Sequence, residues 1–331
     1  MKAVFLCENK KNIDYVYGPA QKEALVRETG MDLRVYSLEE ARNSEEVRDA
    51  EVIFSTWGMP RISYEEIPAI FPKLKAVFYG AGSVQAFAAP FIERGIAVFS
   101  AWQANAVPVA EYTLAQILLA SKGFFQVQQL CRKSRKDSIA LSDIYPGMYD
   151  IKVGLLGLGA VGGAVAKLLK GFNCEVLAYD PFASDEKIAA MGAKRADMAQ
   201  IFSECDIISN HLANLPETRG IIAREHIMAM KPYATFINTG RGPQLNEADL
   251  VDKLRTDETV TALLDVLTDE QYSDTNPLNA LPNCFITPHI AGSKGNEVRR
   301  MAQYMIEEYM RWADGASVRW QVSAEMLATM A

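Results

Sequence analysis

Short apolar runs recur along this chain, and segments with helical spacing separate them. Ala3 to Cys7, Leu33 to Tyr36, Val52 to Ser55 and Ala76 to Tyr79 read as buried strands, with helices over Gln21 to Thr29 and Leu38 to Arg48 between them. Asn105 to Lys133 carries Val109, Tyr112, Leu114, Ile117, Leu118 and Leu119 at helical spacing, which predicts one long helix with Pro108 in its first turn. Ser134 to Asp150 is polar and reads as a loop. The alternation then resumes, with strands at Val153 to Leu156, Cys174 to Tyr179, Asp206 to Asn210, Thr235 to Thr239, Val260 to Val266 and Cys284 to Thr287. A last helix runs from Glu297 to Trp312, with Met301, Tyr304, Met305 and Tyr309 on one stripe. Such alternation predicts an α/β fold built on a doubly wound parallel sheet. A length of 331 residues allows two domains, each with its own core.

One stretch organises the rest. Val153 to Pro181 reads VGLLGLGAVGGAVAKLLKGFNCEVLAYDP, in which Gly157, Gly159 and Gly162 fall in the order G-x-G-x-x-G between a strand and a helix. Gly157 suits the tight turn out of the strand, Gly159 a close backbone approach to a pyrophosphate, and Gly162 the packing of helix on sheet. The helix that starts near Ala160 aims free N–H groups at the phosphates. Asp180 ends the second strand 23 positions after Gly157, close to the ~20 expected for the acid that holds a ribose 2′-OH. A 2′-phosphate would be repelled there, so the cofactor expected is NAD rather than NADP.

Composition narrows the partners. A formal charge of -7 and a pI near 5.2 argue against nucleic acid or an anionic membrane surface. No run approaches the ~18 apolar residues of a membrane span, and the start has too short an apolar run for a signal peptide. The five cysteines, Cys7, Cys131, Cys174, Cys205 and Cys284, are scattered and mostly embedded in apolar runs. They read as reduced core residues of a soluble cytoplasmic protein. No spacing of cysteine or histidine suggests a metal site.

Ligands of such a sheet gather outside the carboxyl ends of its strands, and the polar candidates fall there. His211, Arg241, Asp265 with Glu270, and His289 each lie at or just beyond such an end. Beside a nicotinamide, the required chemistry is hydride transfer at a carbon bearing oxygen. His289 can move the hydroxyl proton, because histidine titrates near neutral pH. Glu270 can fix the ring's tautomer and stabilise the imidazolium, with Asp269 as its nearest rival. Arg241 presents a planar fork for a carboxylate or carbonyl. Asp265 could accept from the nicotinamide carboxamide, His211 lines the nicotinamide, and His226 reads as a helix-surface residue. Lys75 to Ser83 reads KAVFYGAGS, a strand running into a glycine loop whose amides could form an anion nest.

With these residues in place, the sequence resembles the D-isomer-specific 2-hydroxyacid dehydrogenases, the group that includes D-lactate, glycerate/hydroxypyruvate and 3-phosphoglycerate dehydrogenases. The carriers are FPKLKAVFYGAGS, NAVPVAEYTLAQILLA, VGLLGLGAVG with Asp180, PETRGII, KPYATFINTGRG, LLDVLTDE and ITPHIAG. The resemblance implies a Rossmann domain over 104–292 that binds NAD, and a smaller flavodoxin-like α/β substrate domain from 1–103 and 293–331, with the active site in the cleft between them. It makes Arg241, Glu270 and His289 the catalytic residues, and favours Glu270 over Asp269 by its offset from Asp265. Cofactor contacts are expected from Gly157, Gly159, Ala160, Val161, Gly162, Asp180, Pro181, His211, Thr239 and Asp265. Substrate contacts are expected from Gly80, Ala81, Gly82, Ser83 and Arg241. A homodimer is implied as well.

The chain departs from the family pattern in places. It reads HLANLPET after the strand at 206–210, with Ala213 and Leu215 where Pro and Thr are usual, and VQAF follows the anion loop. Trp57, Tyr79 and Trp102 hint at an apolar or aromatic substrate pocket. Only 39 residues follow Gly292, so no regulatory domain of the long phosphoglycerate dehydrogenases is expected. The competing readings are an NAD-sensing binding protein without turnover and a formate-type dehydrogenase; Glu270, where that branch has Gln, speaks against the latter.

Overall fold

The computed structural model describes residues 1–328, with the backbone alone at 272 and 273. The chain divides into two compact units, Met1–Ala106 with Ser293–Ala331, and Val107–Gly292.

The first unit is a five-stranded parallel sheet of β1 (Ala3–Leu6), β2 (Val35–Tyr36), β3 (Val52–Ser55), β4 (Ala76–Tyr79) and β5 (Ala97–Ser100), in the order β2-β1-β3-β4-β5. The strands are apolar throughout because both faces are covered. Phe5, Phe54, Phe78 and Phe99 point to one face and pack under Met301, Met305 and Tyr309 of the helix Val298–Ala313. Phe78 and Phe99 stack with ring centroids 4.6 Å apart. Val4, Leu6, Ile53, Val77 and Val98 fill the other face.

The second unit is a seven-stranded parallel sheet. Its strands are β6 (Ile151–Leu156), β7 (Cys174–Tyr179), β8 (Lys194–Arg195), β9 (Ile207–Asn210), β10 (Thr235–Asn238), β11 (Thr261–Leu264) and β12 (Cys284–Ile286), ordered β12-β11-β10-β9-β6-β7-β8. The chain leaves β6 in one direction through β7 and β8 and in the other from β9 onward. The boundary between β6 and β9 is therefore the topological switch point, where an open sheet of this kind offers a crevice.

Several local expectations are corrected. β5 was not anticipated. The helix foreseen over Asn105 to Lys133 is two helices, Trp102–Ala120 and Phe124–Cys131. Gly123 separates them at φ 62, and a side chain there would overlap the Tyr145 ring. Because the first helix starts at Trp102, Pro108 lies in its interior rather than in its first turn. The polar stretch after Lys133 contains the helix Arg135–Ser142, capped by Ser134, whose hydroxyl accepts from Asp137 N at 3.2 Å. Leu38 to Arg48 is likewise two short helices, the second capped by Ser44.

Candidate functional site

Candidate residues of the second unit stand at strand ends: Gly157 after β6, Asp180 after β7, His211 after β9, Thr239 and Arg241 after β10, Asp265 after β11 and His289 after β12. The parallel sheet thus collects on one edge residues far apart in sequence.

At the switch point Gly157 turns the chain at φ 88, and a Cβ there would come within 2.7 Å of the His211 carbonyl oxygen. A Cβ on Gly162 would overlap the Gly157 carbonyl, so the helix Ala160–Leu169 sits directly on the turn. Nothing lies within 4 Å of the corresponding point on Gly159, which is exposed. Space is left on the side where a pyrophosphate would approach. Among the described residues the first-turn amides of Ala160 and Val161 find no acceptor. Both residues are half-buried. An anion is the natural partner for a helix N-terminus in that state.

Asp180 is tied to this loop. Its Oδ2 accepts from Leu158 N at 2.7 Å, and its Oδ1 accepts from Phe182 N at 2.8 Å and Ala183 N at 3.0 Å. Pro181 is exposed beside it. Three amides hold the carboxylate in a fixed place next to the glycine turn, where it can accept from ribose hydroxyls. The donor set fits a dinucleotide with an unphosphorylated ribose.

His211 is held by Ser209 Oγ, 2.9 Å from Nε2, while Thr239 Oγ1 stands 3.5 Å from Nδ1. Burial pushes its pKa down to about 3, so the ring is neutral at pH 7. Arg241 is half-buried, and desolvation lowers its pKa while the charge of Glu270 works in the opposite sense. It remains a cation, donating through Nη1 to Gly240 O at 2.8 Å. The residue that organises this corner, Gln244, was missed in the sequence. Fully buried, it donates from Nε2 to Leu212 O and Ala213 O, both at 2.8 Å, and accepts at Oε1 from Asn210 Nδ2 and Arg241 N. The divergent loop after His211 is therefore pinned from below, and Thr218 Oγ1 closes it onto Ala213 O at 2.6 Å. A lone glutamine in GRGPQL gives no signal of this in one dimension.

Asp265 is 2% exposed, and its carboxylate serves the turn after β12. It accepts from Thr287 Oγ1 at 2.6 Å, Ile290 N at 2.8 Å and Ala291 N at 2.8 Å. Between these anchors sits His289, at φ 54, a left-handed conformation that is uncommon for residues other than glycine and carries a modest backbone cost. Its Nδ1 lies 3.0 and 3.1 Å from the two oxygens of Glu270. Both side chains are about half exposed, at 47% and 49%, and no hydrogen-bond partner is found for Nε2 among the described residues. Asp269 instead accepts from Gln271 N.

In the first unit, Gly80 N and Ala81 N are spent on Ser55 O and Tyr79 O, whereas Gly82 N and Ser83 N have no acceptor among the described residues. Both amides lie in a half-buried loop, which leaves them available to an anion. Of the three aromatic residues considered for a pocket, Tyr79 is buried against Phe87 and Trp102 packs edge-on against Trp320. Trp57 alone stays at the surface, 36% exposed and stacked on Tyr15.

Two further expectations are corrected. Cys131 is exposed rather than in the core, and only Cys7 and Cys205 are fully buried. His226 is half-buried, with Nδ1 accepting from Ala223 N at 3.3 Å and its ring against Phe202. Among the described residues, no cluster of His, Cys, Asp and Glu could hold a metal ion, and no helix is long and apolar enough to cross a membrane.

Residues 114–291, more than half of the chain, match the family model of the NAD binding domain of D-isomer specific 2-hydroxyacid dehydrogenases. The chain belongs to that family. The matched stretch lies within the second unit and contains the glycine turn at Gly157 and Asp180. Among curated relatives, a D-3-phosphoglycerate dehydrogenase of Archaeoglobus fulgidus is 32% identical over 227 residues, 69% of this chain and 43% of that protein. Another, from Methanocaldococcus jannaschii, is 30% identical over 271 residues, 81% of this chain and 50% of that protein. The chain thus spans about half the length of these curated relatives. The fold matches the NAD-complexed D-isomer specific 2-hydroxyacid dehydrogenase of Lactobacillus delbrueckii ssp. bulgaricus with a TM-score of 0.78 at 20% identity, covering 97% of this chain and 100% of that one.

Proposed function

We propose that this chain is an NAD-dependent oxidoreductase that interconverts a D-2-hydroxy acid and its 2-keto acid. The observation that carries the reading is the His289–Glu270 pair, held on the same sheet edge as the dinucleotide site. When bound, the nicotinamide supplies or takes up the hydride.

The residues divide the remaining work. His289 Nε2 donates the proton that the carbonyl oxygen needs as it becomes a hydroxyl, and takes it back in the oxidative direction. Glu270 faces Nδ1, which fixes the tautomer and provides counter-charge for the protonated ring. Arg241 grips the carboxylate or polarises the carbonyl; its partial desolvation strengthens that pull. The Gly80–Ser83 loop is assigned, on its free amides, as a carboxylate-binding loop. The neutral His211, Thr239 and Asp265 belong to the nicotinamide end, and the 157–162 loop with Asp180 to the pyrophosphate and adenosine ribose. Incubation with NADH and a simple 2-keto acid, followed by chiral chromatography, tests the assignment: the D-hydroxy acid supports it, and the L-enantiomer contradicts it.

We further propose a homodimer in the cytoplasm. All five cysteines are free, as suits a reducing compartment. The apolar helix Phe124–Cys131 has no buried residue, and Phe124, Ile139, Ile144 and Tyr149 are 45–69% exposed in and around it. So much exposed apolar side chain in one region calls for a cover. Mass in solution by light scattering decides between one copy and two.

A further inference from the structure

His289 is carried by a turn whose geometry depends on Asp265, and Asp265 is itself only one member of a longer chain of hydrogen bonds. Thr287 Oγ1 lies 2.6 Å from Asp265 Oδ1, and Tyr112 OH lies 3.1 Å from Thr287 Oγ1. Proton bookkeeping gives this chain a direction. Both oxygens of Asp265 already receive amide protons from Ile290 and Ala291, so the carboxylate is an acceptor and Thr287 must donate to it. A threonine hydroxyl has one proton. With that proton given to Asp265, Thr287 can only accept from Tyr112, and Tyr112 must donate. Burial raises the Tyr112 pKa, which keeps its proton in place.

The anchoring matters because the turn is unfavourable by itself. His289 sits at φ 54, and the N–H groups that follow it are bound by one buried carboxylate. Anything that lets Thr287 rotate frees Asp265 to shift, and the ring of His289 moves with the turn. Tyr112 belongs to the helix Trp102–Ala120, a rigid element that also meets the other side of the site: Thr113 Oγ1 is 3.2 Å from Thr239 Oγ1, which stands next to His211. In the sequence Tyr112 counts only as an apolar position on a helical stripe, and its hydroxyl looks incidental.

We infer that Tyr112 is a positioning residue for His289, acting through Thr287 and Asp265. The inference rests on the proposed role of His289 as the proton-transferring group. Tyr112 touches neither substrate nor cofactor in this scheme; it holds the catalytic ring in register.

The experiment compares Tyr112→Phe, Thr287→Val, Thr287→Ser and the double variant Tyr112→Phe/Thr287→Val. A hydrogen bond of this kind is expected to change kcat by about five- to thirtyfold. Tyr112→Phe should therefore lose that factor in kcat, with KM for the keto acid and Kd for NADH within about twofold of the parent. Thr287→Ser, which keeps the hydroxyl, should retain activity. The double variant should be no slower than Thr287→Val alone, since both changes break one chain. Additive losses, or a Tyr112→Phe enzyme with unchanged kcat, would overturn the inference. A second readout does not need turnover: of the three histidines, His289 is identified by comparison with His289→Asn, and its ring 15N shifts should move together in Tyr112→Phe and Thr287→Val but not in Thr287→Ser. Unmoved shifts reject the relay even in a protein that reduces no acid, whereas moved shifts without turnover leave the relay standing and reject the functional reading.

Discussion

Glu270 turns both carboxylate oxygens toward one ring nitrogen of His289, at 3.0 and 3.1 Å. The pair is about half exposed, and an ion pair in that setting contributes at most about 1 kcal/mol to stability. Its value must lie in what it does to the ring. Glu270→Gln keeps a hydrogen-bonding side chain of the same shape and removes the charge. Melting temperature should stay within about 2 °C of the parent, while kcat/KM falls by roughly 10- to 100-fold. A large drop in stability with intact kinetics would show that the pair is structural.

Asp180 should decide between NADH and NADPH. Its carboxylate is held by the amides of Leu158, Phe182 and Ala183, so it cannot swing aside for a 2′-phosphate. The parent should favour NADH over NADPH by about 100-fold or more in kcat/KM, and Asp180→Ala should narrow the ratio to about tenfold or less. Steady-state kinetics with both cofactors checks this. The variant should also melt lower, because Leu158 N loses its acceptor in the half-buried glycine loop.

Gly159 and Gly162 should respond in opposite ways to the same added methyl. A Cβ at 159 meets nothing within 4 Å, whereas one at 162 overlaps the Gly157 carbonyl. Gly159→Ala should fold with a nearly unchanged melting temperature and bind NADH about tenfold or more weakly, because the methyl stands where the backbone approaches pyrophosphate. Gly162→Ala should be destabilised by about 2 kcal/mol or more, or fail to accumulate. Calorimetry with NADH titration separates the two.

His211 gives a pH signature. Its folded-state pKa is about 3, below the ordinary histidine value of 6.5, so the unfolded chain takes up a proton there that the folded protein refuses. Over that interval the unfolded state binds more protons, and stability falls as pH drops from about 6.5 toward about 3. Above the upper value the residue has no effect on the slope. His211→Gln should flatten the acid side of the stability curve, measured by urea unfolding at pH 7 and pH 5, each scaled to its own parent. An identical slope in both proteins would mean that the ring is protonated in the fold.

The features most legible in the sequence were those written in local periodicity and spacing. The runs at 52–55, 76–79 and 174–179 are strands with those bounds, because strands buried on both faces leave continuous apolar stretches. The glycine turn and Asp180 were readable because each glycine answers a constraint imposed by its immediate neighbours. What escaped was decided at a distance. Gly123 breaks the helix at a positive φ, and the ring that excludes a side chain there belongs to Tyr145, more than twenty residues away. The Arg135–Ser142 helix is polar and depends on the Ser134 cap, so it offered no apolar stripe. The structural load on Asp265 was hidden too, because the turn that occupies its carboxylate comes from residues beyond the next strand. Gln244 and Tyr112 acquire their partners only once the sheet lines up the ends of β9, β10, β11 and β12.

The most direct test of the account is NADH oxidation against a panel of 2-keto acids, from glyoxylate and pyruvate to 2-ketoisocaproate and phenylpyruvate, with Arg241→Ala and His289→Asn as controls. Asparagine is chosen at 289 because it tolerates the left-handed backbone there. At least one acid should be reduced by the parent, and both variants should lose about 100-fold or more while still binding NADH. Parent and variants turning over at equal rates, or a parent that binds NADH and reduces none of the acids, would contradict the assignment of His289 and Arg241 to hydride-transfer chemistry.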